Sequence, residues 1–214
     1  MYRNLLIILI CFIGQATLAQ ESGVLLSHYI LDHFSKGTVH FKSGGTQERE
    51  LNYNSLTSEM VFMDNGKFLA IAHLEEVDSV TVAGRLFVPA NHKFYEMLTH
   101  TPAPLYIEYT CTIREPGTDV GYGMKTTTSA TTRMKSLIQS GGAYDLKLPE
   151  DYQPVPTHSF QLFKEGKFFP ANSAKQLSAV FPDKKAWISQ YMKDKHPDLT
   201  KNEDLIALVQ ELQK

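Results

Sequence analysis

Cysteine is almost missing from this chain: two in 214 residues, Cys11 and Cys111. Cys11 falls in a leader described below, so Cys111 stands alone in YIEYTCTIR. One thiol excludes an intramolecular disulfide and a zinc site built with cysteine partners. Its neighbours Tyr109, Thr110, Thr112 and Ile113 are strand formers, and no cationic residue that would activate a thiolate is close in sequence. Tryptophan occurs once, as Trp187. There is no basic excess, with 21 Lys and Arg against 23 Asp and Glu, which argues against a nucleic-acid binder. Beyond the first twenty residues no long apolar run occurs, so the rest of the chain offers no transmembrane segment.

Short catalytic motifs are missing too. There is no Gly-x-Ser-x-Gly and no Ser-x-x-Lys. The eight histidines form no His-x-His and no HExxH. Gly121-Tyr122-Gly123 is too short for a dinucleotide fingerprint. Glu75, Glu76 and Asp78 cluster, but a calcium loop alternates its oxygen ligands around a glycine. The residues assign no catalytic, cofactor-binding or metal-ligating position, and no cofactor is implied.

What is present begins with MYRNLLIILICFIGQATLAQ. Arg3 supplies a positive start, Leu5 to Ile13 an uncharged apolar run, and Thr17-Leu18-Ala19 small residues for a peptidase. This is the layout of a cleaved secretory signal, residues 1–20, and it predicts export to the periplasm or beyond. The run is shorter than the ~20 residues that span a bilayer. A lipobox wants a small residue before its cysteine, and Ile10 precedes Cys11. Removal of the leader takes away Arg3 and no acid, leaving 20 basic and 23 acidic side chains on 194 residues.

Residues 21–36 suit either a short helix or an edge strand. From Gly37 the pattern is β: Thr38 to Lys42 alternates, Ser43-Gly44-Gly45 turns, and Glu48 to Tyr53 resumes. Two similar stretches follow, FMDNGKFLA from Phe62 and LFKEGKFFPA from Leu162. Neither carries the glycine spacing or the Ser/Thr of a phosphate-binding loop, and their flanks do not align as a duplication. Asn65-Gly66 and Glu165-Gly166 read as hairpin turns, whose central positions need positive φ. Further strands are expected at 79–82, 85–88, 94–98, 105–113, 144–148 and 159–163, with a Thr/Ser/Gly-rich stretch, 115–143, as a loop or lid.

The end is helical. Ser173-x-x-Gln176 and Thr200-x-x-Glu203 both read as capping boxes. Leu177, Val180 and Phe181 form one apolar stripe, Trp187, Ile188, Tyr191 and Met192 a second, and Leu205, Ile206, Leu208, Val209 and Leu212 a third. Trp187 is expected in the core. The expected fold is α+β: an antiparallel β-meander or open barrel-like sheet in residues 21–170, then three short C-terminal helices in 171–214 packed on it.

Three weak chemical signals remain. His73 and Glu75 would share a strand face, where an imidazole and a carboxylate could meet. Tyr95, Tyr106, Tyr109, Tyr122, Tyr144 and Tyr152 could stack on sugars. Residues 160–201 hold eight lysines against four acids, a basic tail able to touch an anionic surface.

The run from Phe34 through GTVHFKSGGTQERELNYNSLTSEMVFM, NGKFLAIA and LEEVDSV resembles the N-terminal part of small secreted proteins common in Bacteroidota. The closing KQLSAVFPDKKAWISQYMKDK and KNEDLIALVQEL resemble the tail of the same uncharacterised group. The resemblance implies export and a β-then-α layout, and no activity or site residues. The expectation is a non-catalytic binding or interaction protein of the cell envelope, with an envelope protein or small ligand as partner. The alternatives are a hydrolase-like enzyme without short motifs and a periplasmic carrier of an apolar ligand.

Overall fold

The computed structural model describes residues 28–114, 118–119, 125–126 and 153–214. The leader, the strand expected at 144–148 and most of the stretch 115–143 lie outside these residues. The chain forms an α+β fold, with twelve strands among the described residues. They are β1 (Ser35–Phe41), β2 (Thr46–Asn54), β3 (Glu59–Asp64), β4 (Lys67–Ala70), β5 (Val77–Val82), β6 (Arg85–Ala90), β7 (Lys93–Met97) and β8 (Leu105–Arg114). A small pair, β9 (Thr118–Asp119) and β10 (Lys125–Thr126), precedes β11 (Gln153–Lys164) and β12 (Lys167–Pro170). Three helices follow: α1 (Ala174–Val180), α2 (Lys185–Lys195) and α3 (Asn202–Leu212), with a 3-10 turn at Pro182–Lys184.

Ten strands make one open antiparallel sheet in the order β12-β11-β8-β7-β6-β5-β1-β2-β3-β4. This departs from a simple meander at one point: β5 pairs with β1 instead of its sequence neighbour β4. Two meanders are thereby joined along β1 and β5, and β4 is left as an outer edge. Four of the hairpins close on two-residue turns with both φ values positive, at Asn65-Gly66, Ala83-Gly84, Asn91-His92 and Glu165-Gly166. That geometry matches the twist of the flanking strands. The two Gly-Lys-Phe stretches are therefore hairpins, as their sequence indicates.

The sheet curls. Strands β3 and β7 stand five places apart in the order, yet the Phe94 N–H donates to the Ser58 carbonyl at 3.3 Å. The Tyr53 hydroxyl donates to the Phe94 carbonyl at 3.1 Å. Inside the curl, Leu51, Tyr53, Met60, Val80, Phe87 and Phe94 form a core with almost no exposure, and Tyr53 stacks on Phe87 at 5.6 Å. The end of β2 is buried on both faces, because the segment before β1 covers the outside. There the Asn52 carboxamide clasps the Leu31 backbone, accepting from its N–H at 3.1 Å and donating to its carbonyl at 2.9 Å. Residues 28–34 thus form a strap with one isolated bridge, Tyr29 to Asn54, rather than a helix or a ladder strand.

The helices cover only the other end of the same face. Leu105, Ile107, Phe160 and Leu162 of β8 and β11 share a buried cluster with Leu177, Ile188, Leu205, Leu208, Val209 and Leu212. The four buried leucine and valine side chains of α3 account for roughly 6–12 kcal/mol of gross burial. Gln213 pins the end of α3 to the β7–β8 loop, accepting from the Ala103 N–H at 2.7 Å and donating to its carbonyl at 2.8 Å. Lys164 donates to the Val180 carbonyl and lies over the Phe181 ring, closing the C-terminus of α1.

The first capping box forms: the Gln176 N–H donates to the Ser173 hydroxyl, and Gln176 returns a bond to the Asn172 N–H. The second does not. Lys201 is the N-cap of α3 and makes no side-chain cap, because the Thr200 hydroxyl turns back to Asp198 at 2.6 Å. Asp204 instead accepts from the Asp198 N–H at 2.8 Å, so the loop is tied down by carboxylates on both sides. Trp187 sits half-buried at the margin of the helical core, its ring tilted against Tyr191 at 5.1 Å, while Ile188 takes the fully buried place.

Candidate functional site

The His73 and Glu75 pair exists but lies in the turn between β4 and β5, not on a strand face. Nδ1 and Oε1 are 3.3 Å apart, and both side chains are about three-quarters exposed. Backbone hydrogen bonding and His73 hold the Glu75 carboxyl below its ordinary range. Nothing encloses the pair, and a solvated carboxylate held in its charged form is poorly placed for proton transfer. Among the described residues no group of three His, Cys, Asp or Glu side chains converges as a metal site would.

Cys111 is half-buried in β8, and burial pushes its thiol pKa up. The neutral thiol is the form favoured there, the opposite of an activated nucleophile.

The most concentrated polar chemistry is a trio that the sequence did not announce. Across the β6–β7 hairpin, Arg85 grips Glu96 with two hydrogen bonds, Nε–Oε1 at 2.9 Å and Nη2–Oε2 at 2.6 Å. From β8, the Tyr109 hydroxyl is 2.6 Å from both Arg85 Nη2 and Glu96 Oε2. The guanidinium also lies 5.3 Å from the Phe87 ring centroid and 5.2 Å from that of Tyr109. Burial alone would lower the Arg85 pKa, but its bonds to Glu96 and Tyr109 more than offset this and raise it. Burial and the Glu96 carboxylate push the Tyr109 phenol well up. Arg85 stays charged and Tyr109 stays neutral across the physiological range. Tyr109 touches both hydrophobic cores, which puts this clamp at the seam where the curled part of the sheet meets the helix-covered part.

Of the tyrosines expected to stack on sugars, the described ones, Tyr95, Tyr106 and Tyr109, do not form an exposed platform. Tyr95 and Tyr106 lie together on the face away from the helices, but both are buried. Phe168 stacks on Tyr95 at 4.4 Å and meets Tyr106 edge-on at 5.5 Å, so the β11–β12 hairpin seals them. Lys93 and Glu108 form an ion pair beside them, and Gln161 donates to the other Glu108 oxygen at 3.2 Å. Tyr122, Tyr144 and Tyr152 lie outside the described residues.

Among the described residues, one depression open to a partner is a furrow between α1 and α2, of about 580 Å³. Helical spacing builds both walls: Ala174 with Ser178 and Lys175 with Ala179 on α1, then Lys185, Ile188, Ser189, Met192 and Lys193 on α2. The α1 wall is low because its residues are small, which leaves part of Met192 accessible as an apolar floor above the fully buried Ile188. Lys175, Lys185 and Lys193 stand on the rims, and no carboxylate lines the furrow. The lysine excess of this region was legible in the sequence. That three of those lysines would frame one apolar depression was not, since it depends on how α1 packs on α2. No helix among the described residues is long and apolar enough to cross a membrane. No known protein family, curated protein or solved structure matches this chain.

Proposed function

We propose that this is an exported, non-catalytic interaction protein of the cell envelope, and that it docks its partner in the furrow between α1 and α2. The observation that carries this reading is the furrow itself, an open depression between two helices with a largely apolar lining and three lysines on its rims. Two further features support it. Among the described residues, Tyr53, Phe87 and Phe94 pack into the interior of the curl, which speaks against an apolar cargo there. In the buried trio Arg85 keeps its charge and Tyr109 its proton, as in a structural clamp. Export rests on the leader-like first twenty residues.

A photo-crosslinking residue placed at Ser189 in the full chain tests the docking site in its native envelope. A discrete adduct is expected from Ser189, and none from the same residue at the exposed strand position Gln47. Equal labelling at both positions, or none at either, would overturn the reading. Export is tested on the same samples by the mass of the mature chain, which should begin after residue 20.

A further inference from the structure

We infer that the partner seated in the furrow is an acidic amphipathic helix, one presenting carboxylates along both flanks of an apolar stripe. This rests on the docking reading above and adds the chemistry of the occupant. The whole chain carries a formal charge of −2, yet the rims of the furrow carry three cations and no anion. An anionic partner is therefore attracted here against the sign of the protein as a whole. The nearest acid on α2, Asp194, is occupied by Gln190 at 2.8 Å.

Shape narrows the occupant. Lys185 and Lys193 are two helical turns apart on one wall, about 12 Å along the axis at 1.5 Å per residue. A helix lying alongside matches that spacing with acids at i and i+7, about 10.5 Å apart. Lys175 on the opposite wall calls for a third acid on the other flank. Between them the half-buried Met192 takes the apolar side chains, and Ala174, Ser178 and Ala179 allow the close approach that larger residues would block. The described residues of a second copy do not supply the helix. Among them the one acidic amphipathic helix, α3, has Leu205, Leu208, Val209 and Leu212 buried in its own core.

The test uses the full mature chain and a synthetic helical peptide with a leucine stripe flanked by glutamates at i and i+7, beside a counterpart with glutamine for each glutamate. Trp187, the single tryptophan, lies on α2 next to the furrow and reports binding by fluorescence. The glutamate peptide is expected to bind at least tenfold more tightly than the glutamine peptide, and to weaken as salt rises. Combined Lys175→Glu, Lys185→Glu and Lys193→Glu should abolish that preference without altering the melting curve. Ala179→Phe, which fills the furrow without touching its charge, should weaken binding at least tenfold. Equal affinity for the two peptides would overturn the inference. So would co-sedimentation with phosphatidylglycerol vesicles in preference to either peptide, which would assign the lysines to a membrane surface. If the Ser189 adduct persists unchanged in the triple variant, the acidic partner falls while the docking site stands. If no Ser189 adduct forms in the parent protein, both fall.

Discussion

Arg85 and Glu96 form a two-pronged ion pair inside an otherwise apolar sheet face, and Tyr109 closes it from a third strand. Only a tenth of the Glu96 side chain and a quarter of the Arg85 side chain are exposed. Breaking one partner of such a pair leaves the other charged and poorly hydrated. Glu96→Gln should cost about 3 kcal/mol, toward the low end for buried pairs because Arg85 keeps some access to water. Tyr109→Phe should cost about 2 kcal/mol, the scale of hydrogen bonds to charged groups. Urea unfolding measures both. A double-mutant cycle between Arg85→Met and Glu96→Leu should show strong coupling, and additive losses would mean the two side chains do not form a unit.

Gly37 shows where the curl leaves no slack. A Cβ at this position would lie 2.6 Å from the Thr81 carbonyl oxygen and 2.9 Å from side-chain atoms of both Leu51 and Val82. The first of these is backbone in a paired strand and cannot swing aside. Gly37→Ala should therefore destabilise by about 1–3 kcal/mol, the usual scale of overpacking. Gly45→Ala serves as the control, since only the Ser43 hydroxyl comes within 4 Å there. Matching melting temperatures for the two variants would refute the tight approach of β1 to β5.

Local signals carried most of the strands and all three helices, because alternation, Asn-Gly turns and apolar stripes are written within a few residues of one another. Asn65-Gly66 and Glu165-Gly166 were legible for that reason. Asn91-His92 was not, since neither residue is glycine, although both take positive φ. Missing that turn hid the clamp: its register places Glu96 opposite Phe87, which puts a carboxylate on the apolar face within reach of Arg85. The pairing of β5 with β1 is a long-range choice that no local pattern encodes. Thr200 misled for a similar reason. Its sequence suits a cap, but α3 takes Lys201 as its N-cap, and the Thr200 hydroxyl donates to Asp198 instead. The furrow was half legible, its lysines countable and its walls a product of packing.

The turns themselves can be tuned. Ala83 holds φ at +50° in the β5–β6 hairpin, where a residue with a Cβ is strained. Asparagine tolerates this region by hydrogen-bonding locally, so Ala83→Asn should stabilise by about 0.5–1 kcal/mol. Gly66→Ala, at φ +74°, should act in the opposite sense by a similar amount. The urea midpoint checks both, and a destabilised Ala83→Asn would argue that this turn does not hold two positive φ values.

Acid should loosen the strap before it loosens the cores. His28 is 2% exposed, and burial lowers its pKa from the 6.5 of a free histidine. Its carbonyl accepts from both the Ser55 N–H and the Ser55 hydroxyl, tying the strap to the β2–β3 turn. Among the described residues its Nε2 has no hydrogen-bond partner, nor do the buried Asn54 Nδ2 and Thr57 Oγ1. The neutral ring is thus the folded form. Above pH 6.5 neither state binds the extra proton, and this contribution to stability is whole. Below pH 6.5 the unfolded chain takes up a proton that the folded chain resists. Stability then falls by up to about 1.4 kcal/mol per pH unit until the depressed folded pKa is passed. His28→Gln should cost stability at pH 7.5 and flatten the decline between pH 6.5 and 5, the window in which other carboxylates contribute least. Hydrogen exchange at the Ile30 and Leu31 amides, which bond to Tyr53 and Asn52, should accelerate over that window in the parent and not in the variant. If the stability profiles of the two proteins stay parallel through it, His28 carries its proton equally well in both states and the strap is no acid-sensitive element.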